Sequence, residues 1–233
     1  MLPLSWRNLH LTEDHGARAT RHVDDFPHPS TFTRACDADY EAFVDRLMAE
    51  RPDGALHLFA YGSLIWNPGF DAVGRRRAVA RGWHRQFALV MRGHRGTPEA
   101  PGLMMTLMSG GRCVGLALEV AAGRERQVLD VSARREFPFT ETMAHCRWIR
   151  LDTDDGPLRG LVFWAGPTGP NVHRGLSLHE AAARIARACG PKGSNADYLR
   201  STVAALEAHG IRDRNLWTLQ RLVAAEIDRM QGS

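Results

Sequence analysis

The feature that most limits what this chain can become is a change of hydrophobic period along its length. Tyr40, Phe43, Val44, Leu47 and Met48 fall at the i, i+3, i+4, i+7, i+8 spacing of one helical stripe, which predicts a helix from Asp37 closed by Arg51-Pro52. Beyond it the helical spacing is lost. Ala55 to Trp66, Ala78 to Arg92, Leu103 to Met108 and Arg112 to Val120 are short apolar or alternating runs broken by Gly and Pro, the pattern of strands in one sheet. Arg124 to Arg135 predicts a helix with Val128, Leu129 and Ser132 inward. Met143 to Leu151 and Leu158 to Ala165 predict two more strands around an Asp154-Asp155-Gly156 turn.

The helical period returns in the last third. Ser177 and Glu180 form a capping-box pattern ahead of a helix ended by Gly190-Pro191. Asn195 can cap a second helix that stops at Gly210, and Asp213 a third with Leu216, Leu219, Leu222, Val223 and Ile227 inward. Strands followed by helices predict an α+β fold rather than repeated βαβ units. Residues 1–35 carry no sustained period and read as an N-terminal arm, lying on the surface or partly disordered, ahead of a single domain over 36–233.

Composition removes several classes of function. The 233 residues are 44% hydrophobic and 24% charged, values of ordinary globular proteins rather than coiled coils or disordered chains. The net charge of +4 is carried by arginine, since Lys192 is the only lysine, and it is weak for a dedicated nucleic-acid binder. The best hint of such binding is Arg75, Arg76, Arg77, Arg81, Arg85, Arg92 and Arg95 interleaved with Trp83 and Phe87. Yet those arginines alternate with Ala78 and Val79 as on any half-exposed strand. Cys36, Cys113, Cys146 and Cys189 form no C-x-x-C pair, which suits reduced thiols in a cytoplasmic protein. With no secretory h-region and no run near eighteen apolar residues, neither secretion nor membrane spanning is expected.

The common catalytic signatures do not occur. H-E-x-x-H, G-x-S-x-G and G-x-G-x-x-G are missing, and in Gly190-Pro-Lys-Gly-Ser194 the lysine precedes the glycine, so no phosphate cradle forms. His173 and His179 lack a third clustered ligand, so no metal site is expected. More informative is Leu58-Phe-Ala-Tyr61-Gly62-Ser63-Leu64-Ile-Trp66-Asn67-Pro68, where a strand runs straight into Gly-Ser. Such a turn either gathers backbone N–H groups into a receptor for a carboxylate or oxyanion, or is a plain strand end. Glu136 is placed in the connection just past a helix, beside Phe137, Pro138 and Phe139, where on position alone it reads as a surface ion-pair partner of Arg134 or Arg135. Tyr198 lies off the stripe of Ala196, Leu199, Val203 and Leu206, so its phenol need not enter the core.

The run Tyr61-Gly-Ser-Leu64-Ile-Trp66-Asn67-Pro68 resembles the signature loop of the ChaC-type, glutathione-specific γ-glutamylcyclotransferases. In the same order follow Gly82-Trp83-His84-Arg85, Arg95-Gly96-Thr97 with Pro101-Gly102, Arg135-Glu136, Asp154-Asp155-Gly156 and Gly190-Pro-Lys-Gly-Ser-Asn195-Ala-Asp-Tyr198-Leu199, together spanning about 56–200. The resemblance implies a compact, partly closed sheet or barrel flanked by helices, with the pocket at its open end. It also implies a reaction: the free α-amine of a γ-glutamyl group attacks its own side-chain carbonyl, closing 5-oxoproline and releasing Cys-Gly when glutathione is the substrate.

On that resemblance Glu136 is the catalytic carboxylate. Tyr61, Gly62, Ser63, Leu64, Arg95 and Tyr198 bind substrate, and neither metal nor cofactor is needed. The partner is then a small molecule, with no nucleic acid and no membrane, and the oligomeric state is left open. Downstream of Glu136 the chain departs from the family's R-E-x-x-x-G-x-Y, carrying Phe-Pro-Phe-Thr140-Glu141-Thr142 instead. That leaves other γ-glutamyl amines or peptides as alternative substrates, and a non-catalytic regulatory or nucleic-acid-binding module on the same scaffold as the rival class. Glu141 is a second carboxylate that can assist, bind the substrate ammonium or simply face water.

Overall fold

The structure, a computed structural model, describes residues 8–26, 32–166 and 171–232. Its elements run α1 (Glu13–Ala19), α2 (Asp37–Ala49), β1 (His57–Ala60), β2 (Ala72–Met91), β3 (Gly102–Val120), α3 (Glu125–Glu136), β4 (Cys146–Thr153), β5 (Gly156–Phe163), α4 (Leu178–Arg187), a two-residue pair β6 (Cys189–Gly190) and β7 (Gly193–Ser194), α5 (Asn195–Ala208) and α6 (Arg214–Gln231). The five long strands close into a barrel in the order β1-β3-β2-β4-β5. Closure depends on the parallel pairing of β1 with β5 at Leu58 and Leu161, two strands a hundred residues apart in sequence. Period-2 alternation turns Phe59, Ala78, Ala80, Leu107, Cys113, Ala117, Leu151, Val162 and Trp164 into one buried cluster.

The chain separates into two compact units that interleave in sequence: Met1–His28, Gln86–Thr106 and Thr168–Ser233 form one, Pro29–Arg85 and Leu107–Pro167 the other. The division falls within β2 and β3.

In the first unit, residues 8–20 are not a loose arm, although 1–7 and 27–31 of that expected arm lie outside the described residues. Thr12 caps α1 and His15 completes its capping box. Gln220 of α6 accepts from the N–H groups of His10 and Leu11 at 2.7 Å each and donates to the Asn8 carbonyl at 2.9 Å. A segment without its own hydrophobic period is thus ordered by one buried amide. The capping box of Ser177 and Glu180 forms as expected, with Ser177 N to Glu180 Oε2 at 2.8 Å. At α5 the cap is Ser194, not Asn195. Asn195 is fully buried, and its amide accepts from Leu103 N at 2.7 Å and donates to Leu103 O at 2.8 Å, standing in for a neighbouring strand.

In the second unit α2 packs on α3 with the predicted stripe buried at Tyr40, Phe43, Val44 and Leu47. Where 109–111 was expected to end one strand and begin another, β3 runs through, bent at Gly110 and Gly111, whose φ values of 99° and 74° suit glycine alone. Part of the basic run is engaged within the fold: Arg76 and Arg81 form surface ion pairs with Glu119 at 3.5 Å and Asp152 at 2.6 Å, and Arg85 is buried, donating to the Val114 carbonyl. Among the described residues no helix is long and apolar enough to cross a membrane.

Candidate functional site

The Gly-Ser bend follows β1 directly. The strand ends at Ala60, Tyr61 anchors the exit by donating its hydroxyl to the Phe163 carbonyl at 2.7 Å, and residues Ser63–Ile65 make a single 3₁₀ turn. Its later amides fold back on the turn: Ile65 N reaches Gly62 O at 3.0 Å, and Trp66 N and Asn67 N reach Ser63 O at 3.1 and 2.8 Å. Among the described residues no acceptor meets the N–H groups of Gly62, Ser63 or Leu64. The backbone thus offers three successive donors, the arrangement by which turns receive anions.

Glu136 is the last residue of α3 rather than the first of the following connection. Phe137, just after it, is pinned in the core. Its ring meets Phe43 at 5.6 Å and Phe163 at 5.5 Å, and its carbonyl accepts from Tyr40 Oη at 3.0 Å. With the helix end so fixed, Glu136 is held recessed. Its side chain keeps 27% exposure, yet the surrounding protein desolvates it enough to push its carboxyl above the ordinary range, with Arg135 opposing the shift. Its place at a helix C-terminus, where the macrodipole is negative, works in the same upward direction.

Arg135 joins the two parts. Its Nε lies 3.3 Å from Glu136 Oε1, its Nη2 donates to Ser63 Oγ at 3.0 Å, and its Nη1 donates to the Asn67 carbonyl. The sequence offered Arg135 only as an ion-pair partner of the glutamate. No local pattern indicates that its guanidinium also reaches a loop seventy residues earlier, so its second role went unread.

Glu141 is committed elsewhere. Both of its oxygens accept from Thr33 N, at 3.0 and 3.1 Å, and Thr140 Oγ1 donates to it at 3.2 Å, which holds its carboxyl below the ordinary range. A carboxylate stabilised in its charged form is a poor proton acceptor.

Arg95 and Tyr198 both belong to the first unit. Arg95 is 17% exposed, donates to the Ser194 carbonyl at 3.2 Å and faces Asp197 at 3.7 Å. Tyr198 does enter the core, at 3% exposure, with its ring edge-on to Phe87 at 5.8 Å. The α5 helix turns about 100° per residue, and the stripe it buries is wide enough to include position 198. Among the described residues no group of three potential metal ligands gathers.

The fold is that of the γ-glutamyl cyclotransferases. The crystal structure of the glutathione-specific enzyme from yeast superimposes with a TM-score of 0.66, covering 75% of this chain and 97% of that one at 20% identity. Residues 56–226 match the ChaC-like protein family, and the chain belongs to that family. The glutathione-specific γ-glutamylcyclotransferase of Escherichia coli (strain K12) is 36% identical over 174 residues, 72% of this chain and 73% of its own length. The γ-glutamylcyclotransferase 2-1 of Arabidopsis thaliana is 36% identical over 152 residues, 62% of this chain and 70% of its own.

Proposed function

We propose that the protein is a cytoplasmic glutathione-degrading γ-glutamylcyclotransferase, with Glu136 as its proton-transfer group and the 61–64 bend as its anion receptor. The observation that carries this reading is the placing of one guanidinium, Arg135, against both Ser63 and Glu136. A relative more than one-third identical over most of the chain is named for this activity.

The chemistry asks for little beyond what these residues supply. Nucleophile and electrophile lie in one molecule, so the main task is to hold the glutamyl chain folded, where proximity is worth several kcal/mol of barrier. A protonated α-amine has no lone pair. Glu136 takes its proton, the freed nitrogen forms a bond to the γ-carbonyl carbon, and the carbonyl oxygen becomes anionic. The open N–H groups of Gly62, Ser63 and Leu64 are suited to receive that charge, or the substrate's α-carboxylate. As the old C–N bond breaks, Glu136 returns its proton to the departing nitrogen and the ring nitrogen gives up its second proton to water, leaving 5-oxoproline and Cys-Gly, whose freed amine takes up a proton from water.

A free glutamate titrates near about 4.3 and an α-amine near about 8, so an ordinary carboxylate is a weak base here. The upward shift of Glu136 narrows that gap. Arg95 and Tyr198 support the binding framework in this reading, since Tyr198 is buried and the half-buried Arg95 is engaged by Ser194 and Asp197 of the same unit.

The test is to incubate the purified protein with glutathione, without added metal, and to assay 5-oxoproline and Cys-Gly. Equimolar formation of both is expected. No product from glutathione or any γ-glutamyl dipeptide would leave a non-catalytic module on this scaffold.

A further inference from the structure

The wall of the barrel has an opening. β2 and β4 pair only at Ala78 with Thr153 and Val79 with Asp152, and the ladder between them ends as β2 reaches Gly82, whose φ of 79° suits glycine. On its other side β4 pairs with β5 along its whole length, from Cys146 with Phe163 to Thr153 with Gly156. The edge of β4 from Arg147 to Leu151 therefore faces no strand among the described residues. The two-residue turn after Thr153 makes its pair with Gly156 a hydrogen-bonded one, and the alternation of the ladder then aims the backbone groups of Trp148 and Arg150 away from β5. In keeping with this, the Trp148 carbonyl accepts from a side chain, Arg159 Nη2, at 3.2 Å. Five residues of strand edge, about 17 Å at 3.4 Å per residue, lie open.

Where the strands part, Arg81, Trp83, Ile149, Arg150 and Asp152 line a cleft of about 520 Å³. Its inner side is apolar, since Trp83 and Ile149 pack on the barrel's interior cluster. Its outer side is basic. Arg81 and Arg150 are 76% and 72% exposed, and both lean on Asp152 through Nε, at 2.6 and 3.3 Å. Among the described residues their Nη groups meet no acceptor. Directly across the β4–β5 ladder from Arg150 stands Arg159, also exposed and without a carboxylate among the described residues. Like charges placed opposite one another repel, so three arginines against one aspartate favour an added anion.

We infer that the open edge of β4 is a docking site for an extended acidic peptide of a partner protein, which adds to the sheet as a further strand in this cleft. An added strand takes its affinity from backbone hydrogen bonds, here those of Trp148 and Arg150, and turns alternate side chains to opposite faces. Apolar side chains on one face then cover Trp83 and Ile149, while carboxylates on the other lie beside Arg81, Arg150 and Arg159. The same charges select against self-association, because two copies meeting at this edge would set arginine against arginine. Neither Glu136 nor the 61–64 bend lines the cleft, so the inference stands apart from the reaction proposed above.

The test uses the full chain and a fluorescein-labelled hexapeptide of alternating valine and glutamate, with binding read by fluorescence polarisation. Its counterpart of alternating valine and lysine and an oligothymidylate of about eight nucleotides serve as rival probes. The acidic peptide is expected to bind at least about tenfold more tightly than the basic one, and the combined Arg81→Gln and Arg150→Gln substitutions to weaken it by about tenfold or more, as for charge-assisted contacts. In the wild type the bound peptide should also slow amide hydrogen exchange at Trp148 and Arg150 by about tenfold or more, which attraction to surface charge alone would not do. Failure of the acidic peptide to bind, equal binding of the acidic and basic peptides, or tighter binding of the oligonucleotide overturns the docking site. A bound acidic peptide that leaves exchange at Trp148 and Arg150 unchanged overturns the added strand. These comparisons are made in the wild-type protein, so they decide the matter even where thermal melting shows that the double variant misfolds.

Discussion

The two compact units both carry family motifs and use them in opposite ways. In the first unit the motif residues close on one another. A Cβ on Gly96 would lie 2.3 Å from Gly102 N, and one on Gly190 would lie 2.4 Å from the His94 carbonyl, so these glycines are required by backbone contact. Arg95 is satisfied by Ser194 and Asp197, and Asn195 by Leu103. In the second unit the motif leaves bonding capacity open: among the described residues, three successive N–H groups meet no acceptor and a recessed carboxylate is met by one guanidinium on one side. Membership of a family motif therefore does not separate framework from chemistry. Unspent polar capacity does.

The largest expected effect tests the open side of this contrast. Glu136→Gln keeps the shape of the side chain and removes the base, so kcat should fall by about 10²–10⁴ while glutathione binding, measured by calorimetry, is largely kept. Turnover near wild type would move the proton transfer to another group. Arg135→Gln should come next, lowering kcat by about tenfold to a hundredfold because the bend and the carboxylate lose their shared tie. A change confined to melting temperature would make Arg135 a framework residue like Arg95.

The closed side should respond in stability. Asn195→Ala strands the buried N–H and carbonyl of Leu103 and should cost about 2–3 kcal/mol in denaturant unfolding. Turnover by the protein that remains folded should change far less than in Glu136→Gln. If activity collapsed while stability held, the division between the units would be wrong.

A subtler effect follows from the raised carboxyl of Glu136. Because the folded state holds that proton more tightly than the unfolded chain, Glu136 lowers stability once pH rises through its folded value, and has no such effect below about 4.3. Glu136→Gln should therefore melt higher than wild type at neutral pH, with the difference vanishing in acid. The acid limb of kcat/KM should likewise have its midpoint above the ordinary carboxylate range, since the base must be ionised. Equal melting temperatures across the whole range would mean that the carboxyl is not desolvated.

What the sequence revealed follows the range of the interactions involved. The α2 stripe, the Ser177-Glu180 box and the α6 face are local patterns, and each reappears. The α1 segment lacked a period because its order comes from Gln220, some two hundred residues away, and barrel closure depends on the pairing of β1 with β5, about a hundred residues apart. At the site the glutamate and the bend were legible as residue types in a pattern. Arg135 was not, because its neighbour in sequence supplied a sufficient reason for its charge. Tyr198 went astray because a four-residue stripe understated how much of α5 is covered.

Glu141 gives the smallest predicted effect and the closest control. It is a carboxylate five residues from Glu136, so a sequence reading cannot separate the two. Their surroundings push them in opposite directions, one stabilised as an anion by Thr33 and Thr140, the other desolvated. Glu141→Gln keeps an acceptor toward Thr33, so kcat should stay within about threefold of wild type, as for a solvent-facing substitution. Its lowered carboxyl also fixes the sign of any stability change: the contribution is present above the unfolded value and lost as pH falls through the folded one. The variant should thus melt slightly lower than wild type at neutral pH and equally in strong acid, opposite in sign to Glu136→Gln. Finding both substitutions to shift melting in the same direction would remove the electrostatic distinction on which the choice of Glu136 as the base rests.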